Sequence, residues 1–170
     1  MPQAETVRKR RRDEALRQFC SFTLSGRLLG VDILHVKEVN TERAFTPVPH
    51  APPEVMGFVN VRGQIHLILD LRRILGLPPA EAGEKSRLVL FKPTVGEAFG
   101  VQVDSIGDVV EVAESSIESG AAVQDRLSEE CMDVDGAPAD MVAGVCRLQQ
   151  ELMLVVNARN LLSAVERTNG

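Results

Sequence analysis

Gly57-Phe58-Val59-Asn60-Val61-Arg62-Gly63-Gln64-Ile65-His66-Leu67-Ile68-Leu69-Asp70 decides the fold. Gly57 to Asn60 starts a strand, Arg62-Gly63 forms the turn, and Ile65 to Leu69 is the return strand. Asp70 then reads as the N-cap of a short helix, Leu71 to Leu75, which Gly76 ends and Pro78-Pro79 seals. The pattern recurs 87 residues on. Gly57-Phe58 meets Gly144-Val145, and Ile65, Leu67, Ile68 and Leu69 meet Leu152, Leu154, Val155 and Val156. Asp70, Arg72 and Ile74-Leu75 meet Asn157, Arg159 and Leu161-Leu162. Upstream the offset is 70. There Gly30-Val31-Asp32-Ile33 meets Gly100-Val101-Gln102-Val103, while Val36, Glu38 and Val39 meet Ile106, Asp108 and Val109. The order is the same in both halves, so the chain is two copies of one β-rich unit of roughly five strands.

Short strands with tight turns do not bury both faces as a flat sheet. Each unit is expected to curl into a small barrel, the two packed about a pseudo-twofold axis with an apolar crevice between them. The half-repeats run over about residues 19–75 and 88–162. Phe19 to Leu24 and Leu28 to Leu34 form a hairpin around Ser25-Gly26. Ile33, Leu34, Val36 and Val39 fit a turn and a half of helix. Ile33, Val36 and Val39 then share one helical face, with Val101, Val103 and Ile106 as their counterparts. Most of these six are expected in the core, with one or two half exposed at the crevice. Pro47, Pro49, Pro52 and Pro53 impose an extended loop. Residues 113–140 read as an acidic surface loop with short helical pieces, 1–17 as a flexible basic tail and 166–170 as a C-terminal tail.

Composition narrows the function. The chain has 170 residues, with 44% hydrophobic and 25% charged, an ordinary globular balance. No apolar run approaches the roughly 20 residues that span a bilayer, and no signal-peptide core follows the basic start. Six of the 19 basic residues but only three of the 24 acidic ones fall in residues 1–17. The body is therefore acidic and unlike a nucleic-acid reader. Six Phe with no Trp or Tyr argue against pockets for sugars or bases. Cys20, Cys131 and Cys146 form no C-x-x-C pair, which suits a reducing compartment.

Catalysis finds little footing: there is no G-x-S-x-G elbow, no H-E-x-x-H and no phosphate-binding loop. His35, His50 and His66 lie on different elements, so no metal site and no cofactor are expected, and a surface or half-buried setting suits each. Cys20 and Cys146 fit as small hydrophobes, and Cys131 sits in an acidic loop. Asp70 and its copy Asn157 both read as N-caps rather than catalytic groups. Arg62 is different, because its copy is Gln149-Gln150 and a turn needs no arginine. It is a candidate for pairing with a partner's carboxylate. A solvated surface arginine and an intramolecular pair with Glu38 are the alternatives.

Gly30-Val31-Asp32-Ile33-Leu34-His35-Val36-Lys37-Glu38-Val39, Pro49-His50-Ala51-Pro52, Val55-Met56-Gly57-Phe58-Val59-Asn60-Val61-Arg62-Gly63-Gln64-Ile65 and Leu69-Asp70-Leu71-Arg72 together resemble the CheW domain of bacterial chemotaxis coupling proteins. The resemblance spans about residues 18–165. It implies an all-β fold of two intertwined SH3-like five-stranded β-barrels with a few short helices. It also implies a non-catalytic cytoplasmic adaptor, recruited to membrane-associated receptor arrays. Such an adaptor links chemoreceptor cytoplasmic tips, held in the inter-barrel groove, to the regulatory domain of a CheA-type histidine kinase. A scaffold for another chemosensory pathway is the alternative. Glu38 and Arg62 match coupling positions of the family, with Val36, Gly57 and Gly63 in the same motifs. Ile33, Val39, Val101 and Ile106 complete the expected receptor- or kinase-binding set. His66 departs from the pattern, standing where Val is common.

Overall fold

Alternating and continuous apolar runs give eleven strands among the residues described (15–42, 44–78, 80–119, 141–149 and 151–168) in a computed structural model. They are β1 Leu16–Leu24, β2 Arg27–Asp32, β3 Val36–Asn40, β4 Val55–Val61, β5 Gln64–Leu69, β6 Arg87–Phe91, β7 Phe99–Val103, β8 Ser105–Ala113, β9 Ile117–Glu118, β10 Val142–Arg147 and β11 Leu152–Val156. Two helices, α1 Leu71–Ile74 and α2 Leu161–Thr168, follow β5 and β11. β1 begins at Leu16, inside the segment read as a tail. Arg8 to Arg12, Cys131 and most of the acidic loop lie outside the described residues.

The sheets are built by exchange between the halves. One runs β8-β1-β2-β11-β10-β9, the other β3-β6-β7-β5-β4. β1 and β2 join the last four strands of the second half in a six-stranded sheet, one more than the five expected, and β6 and β7 join the last three of the first half in a five-stranded one, so neither half makes a barrel from its own strands. The two barrels nevertheless repeat each other residue for residue. The parallel pair β2/β11 sets Gly30 against Val155, and β7/β5 sets Gly100 against Ile68. A bulge falls between Val55 and Gly57 in β4 and between Val142 and Gly144 in β10.

Each sheet curls around its own small core. Phe19, Cys146, Met153 and Val155, with Val112 and Ile117 from the two edge strands, fill one. Val59, Val61, Ile68, Leu88 and Leu90 fill the other. The opposite faces meet in a larger common core that includes Phe22, Leu69, Phe91, Phe99, Val101 and Leu154. The fold is thus two SH3-like barrels, intertwined and packed on a third core.

Arg72, at 7% side-chain exposure, ties the barrels together. From α1 its guanidinium pairs with Asp104, and its Nε donates to Ser25 Oγ (3.2 Å). Asp104 Oδ2 also accepts from the Ser25 N–H (2.8 Å) in the β1–β2 turn. A buried guanidinium must be paired in this way or it costs several kcal/mol.

The helix expected over 33–39 does not form. Asp32 caps a single 3₁₀ turn, Ile33–His35, by accepting from the Leu34 N–H (2.9 Å), and the chain then enters β3. A bulge between Val36 and Glu38 puts residues three apart on one face, and a matching register shift lies in β1/β8. A spacing of three therefore mimics a helix. Of the six apolar positions only Val101 and Val103 are core. Ile33, Val36 and Ile106 are half-buried and Val39 is exposed. Asp70 caps α1, accepting from Arg72 N (3.1 Å), but Asn157 stands before a 3₁₀ turn, Ala158–Asn160, and makes no side-chain cap, so the N-cap expected there does not form. His66 is buried in β5 at the place Met153 holds in the copy, its Nδ1 3.2 Å from the Gln64 carbonyl. Cys20 and Cys146 are buried free thiols, and burial pushes the Cys20 thiol up.

Candidate docking site

The β4–β5 turn places Arg62 and Gly63 at φ 52° and 84°, the signature of a type I′ hairpin. Asn60 Oδ1 accepts from the Gly63 N–H (2.9 Å) and fixes the turn. Gly suits such a turn; arginine at positive φ costs about 1 kcal/mol. The Arg62 guanidinium reaches across to Glu38 Oε2 (2.8 Å) in β3, and Lys37 Nζ donates to Gln64 Oε1 (2.8 Å) beside it. β3 and β4 are the two edges of their sheet, and these contacts join β3 to the turn end of the β4–β5 hairpin. The Arg62 side chain is 77% exposed and that of Glu38 17%. An ion pair so open to water contributes about 0.2–1 kcal/mol, which at best offsets the backbone cost. Stability alone therefore does not account for arginine here.

Gly57 is buried, and its part is structural. Residues 45–46 add to the edge of β4 through the Thr46↔Phe58 bridge, with N–H···O bonds of 2.8 Å both ways. A Cβ at Gly57 would stand 2.6 Å from the Thr46 carbonyl oxygen. Gly144 faces Glu118 of β9 in the same manner. Val101 likewise presents no surface to a partner, being fully buried.

Ile33 is brought instead to a cleft of about 350 Å³ with Leu16, Arg17, Gln18, Asp32, Leu34 and Glu111. It sits beside the 3₁₀ turn where the chain crosses from one barrel to the other. Leu34, 70% exposed, and Leu16 make its apolar wall. Arg17 pairs with Asp32 (3.0 Å) and stacks over the buried Phe19 ring, 4.9 Å from its centroid. Burial opposes ionisation of Asp32, yet the Leu34 N–H and the Arg17 guanidinium prevail and hold its carboxyl below 3.8. Sequence reading missed Leu16, Leu34 and the Arg17–Asp32 pair as site residues. The usable signal was Leu34, an apolar residue matched by the charged Asp104 at offset 70.

His35, on the same turn, is pushed below 6.5. Burial dominates, Asp32 opposes it, and Arg159, Arg17 and Lys92 add to it. The folded chain thus binds this proton less tightly than the unfolded chain. Its contribution to stability is complete above about pH 6.5 and is lost as pH falls below that value. Thermal melts between pH 7 and pH 4.5 are expected to show a falling midpoint, with a shallower fall in His35→Gln; parallel curves would refute this. Among the described residues no three metal-ligating side chains converge.

A family model described as the CheW-like domain matches residues 18–166. The chain belongs to the CheW-like domain family. It is 28% identical over 152 residues to a chemotaxis protein CheW of Treponema pallidum, covering 88% of this chain and 84% of that one. A chemotaxis protein CheW of Bacillus subtilis is 33% identical over 98 residues, 58% of this chain and 62% of that one. The crystal structure of the scaffolding protein TtCheW from Thermoanaerobacter tengcongensis shares the fold, with TM-score 0.70 and 24% identity, covering 84% of this chain and 89% of that one. CheW proteins are chemotaxis adaptors and scaffolds rather than enzymes. Among the described residues no helix is long and apolar enough to cross a membrane.

Proposed function

We propose that this CheW-family protein is a cytoplasmic adaptor that joins chemoreceptor tips to the regulatory domain of a CheA-type histidine kinase within membrane-associated receptor arrays. Arg62 carries the reading: a mostly exposed guanidinium held on a left-handed turn at a net backbone cost, where a glycine would fold better. Arg62, Gly63, Glu38 and the exposed Val39 form one docking edge. The cleft with Ile33, bordered by the crossover that leads to Val36, takes the apolar face of a receptor's helical hairpin, and Ile106 packs at the equivalent place in the other half. Contacts of this size are weak singly and gain strength from multivalency in an array.

Arg62→Glu is expected to leave the melting temperature within about 3 °C of the parent, since an exposed pair contributes little. In a reconstituted assay with receptor and kinase it is expected to lower kinase coupling by about tenfold or more. Unchanged coupling in a folded Arg62→Glu chain, together with no co-precipitation of receptor or kinase domain, overturns the reading.

A further inference from the structure

The internal duplication carries a charge mismatch at Leu34, which lines the cleft. β5 and β7 run parallel with Ile68 opposite Gly100, and four residues beyond each stand Arg72 and Asp104, which form the ion pair between the barrels. β11 and β2 run parallel in the same register, with Val155 opposite Gly30. Four residues beyond these stand Arg159 and Leu34. The second half keeps the arginine, while the carboxylate position holds a leucine exposed to solvent by 70%. The serine that completes the first arrangement, Ser25 in a two-residue turn, has no counterpart either, because β6 and β7 are joined by a longer loop. Arg159 is exposed and makes no ion pair with a described residue. The cleft lining holds two acids, Asp32 and Glu111, and Glu111 accepts from Gln18 Nε2 (3.4 Å). Arg17, Lys92 and Arg159 all act on His35, and the one acid acting there, Asp32, is already paired with Arg17. Lys92 is held close, its N–H donating to the His35 carbonyl (2.9 Å).

We propose that the partner helix supplies the missing carboxylate. An Asp or Glu on the receptor hairpin pairs with Arg159 while an aliphatic side chain about one helical turn away seats against Leu34 and Ile33. This rests on the reading of the cleft as the receptor site and adds the chemistry that selects the receptor. One partner side chain takes the place of Asp104 and its neighbour lies on an exposed leucine, so recognition needs an acidic and an apolar residue on one helical face. Lys92 adds a second positive charge acting at the same turn, whereas the charge of Arg17 is already met by Asp32. An acidic helix face is thereby favoured over a basic one.

The probe is the cytoplasmic hairpin-tip fragment of a chemoreceptor encoded in the same genome, titrated against the full chain by calorimetry at low and high salt. Arg159→Gln is expected to weaken binding about tenfold at low salt and to remove most of its salt dependence, as loss of one charge-assisted bond demands. Leu34→Asp places a carboxylate where the other half carries one. It is expected to satisfy Arg159 internally, to keep or raise the melting temperature, and to weaken receptor binding at least as much. Kinase-domain binding through the Arg62 edge is expected to be unchanged in both. Ile33→Asp separates the two levels. If Ile33→Asp abolishes binding while Arg159→Gln leaves both affinity and salt dependence unaltered, the carboxylate inference is overturned and the cleft reading stands. If the parent chain does not bind, or Ile33→Asp binds as the parent does, the cleft reading fails and the inference with it.

Discussion

Gly57→Asp is expected to be among the most damaging single substitutions in the chain, lowering stability by about 3 kcal/mol or more and the melting temperature by roughly 10 °C. Two faults combine. The backbone at Gly57 lies at φ 148°, where L side chains rarely go. The new Cβ would also sit 2.6 Å from the Thr46 carbonyl and 3.1 Å from Phe45 Cβ, so residues 45–46 must leave the edge of β4. The carboxylate would then enter the small core that Phe45 helps to cover. Gly63→Ala is the control. It too stands at positive φ, 84°, but nothing lies within 4 Å of its Cβ, so it should cost about 1 kcal/mol. Denaturant unfolding of both chains checks the contrast; equal losses would mean that the contact with Thr46 does not matter.

Phe99→Ala is expected to cost about 3–5 kcal/mol, with a fall in melting temperature of roughly 10 °C or more. Phe99 is fully buried in β7, its ring 4.9 Å from that of Phe91 at 32°. A Cβ on Gly96 would touch both Phe99 and Leu162, so the ring is also wedged beneath α2. Backbone pairing holds β7 between β6 and β5, which prevents the sheet from collapsing into the void. Phe99→Leu leaves a smaller void and should lose far less. A loss below about 1 kcal/mol for the alanine chain would show that the common core repacks freely.

Much of the candidate site's geometry was legible. The contrast of Arg62 with Gln149-Gln150 picked out the turn, and the weighing of a pair with Glu38 anticipated the bond that is seen. Gly57 and Val101 were legible as motif or repeat positions, but sequence does not tell a contact residue from one buried behind the contact. The spacing of Val36 and Val39 misled for a physical reason, since a bulged strand and a helix both return a side chain to the same face after three residues. Arg72 was visible only as a matched arginine. Its burial became apparent once α1, the β1–β2 turn and Asp104 were brought together.

The sequence by itself determined the strands, their hairpin turns, the twofold repeat and the family motifs, because these follow from alternation, turn chemistry and self-similarity over short spans. Only the tertiary structure decided which half each strand joins. In a duplicated chain β2 against β5 and β2 against β11 would bury equivalent apolar surfaces, so the pattern of residues does not discriminate between them. The connections do: the 3₁₀ turn at Ile33–His35 after β2 and the short step at Asp104 after β7 carry each half across to the other. The same crossing left Arg72 paired with a carboxylate, whereas the position matched to that carboxylate is Leu34 in the other barrel, a difference written in the sequence but given meaning only by the matching parallel pairs β7/β5 and β2/β11.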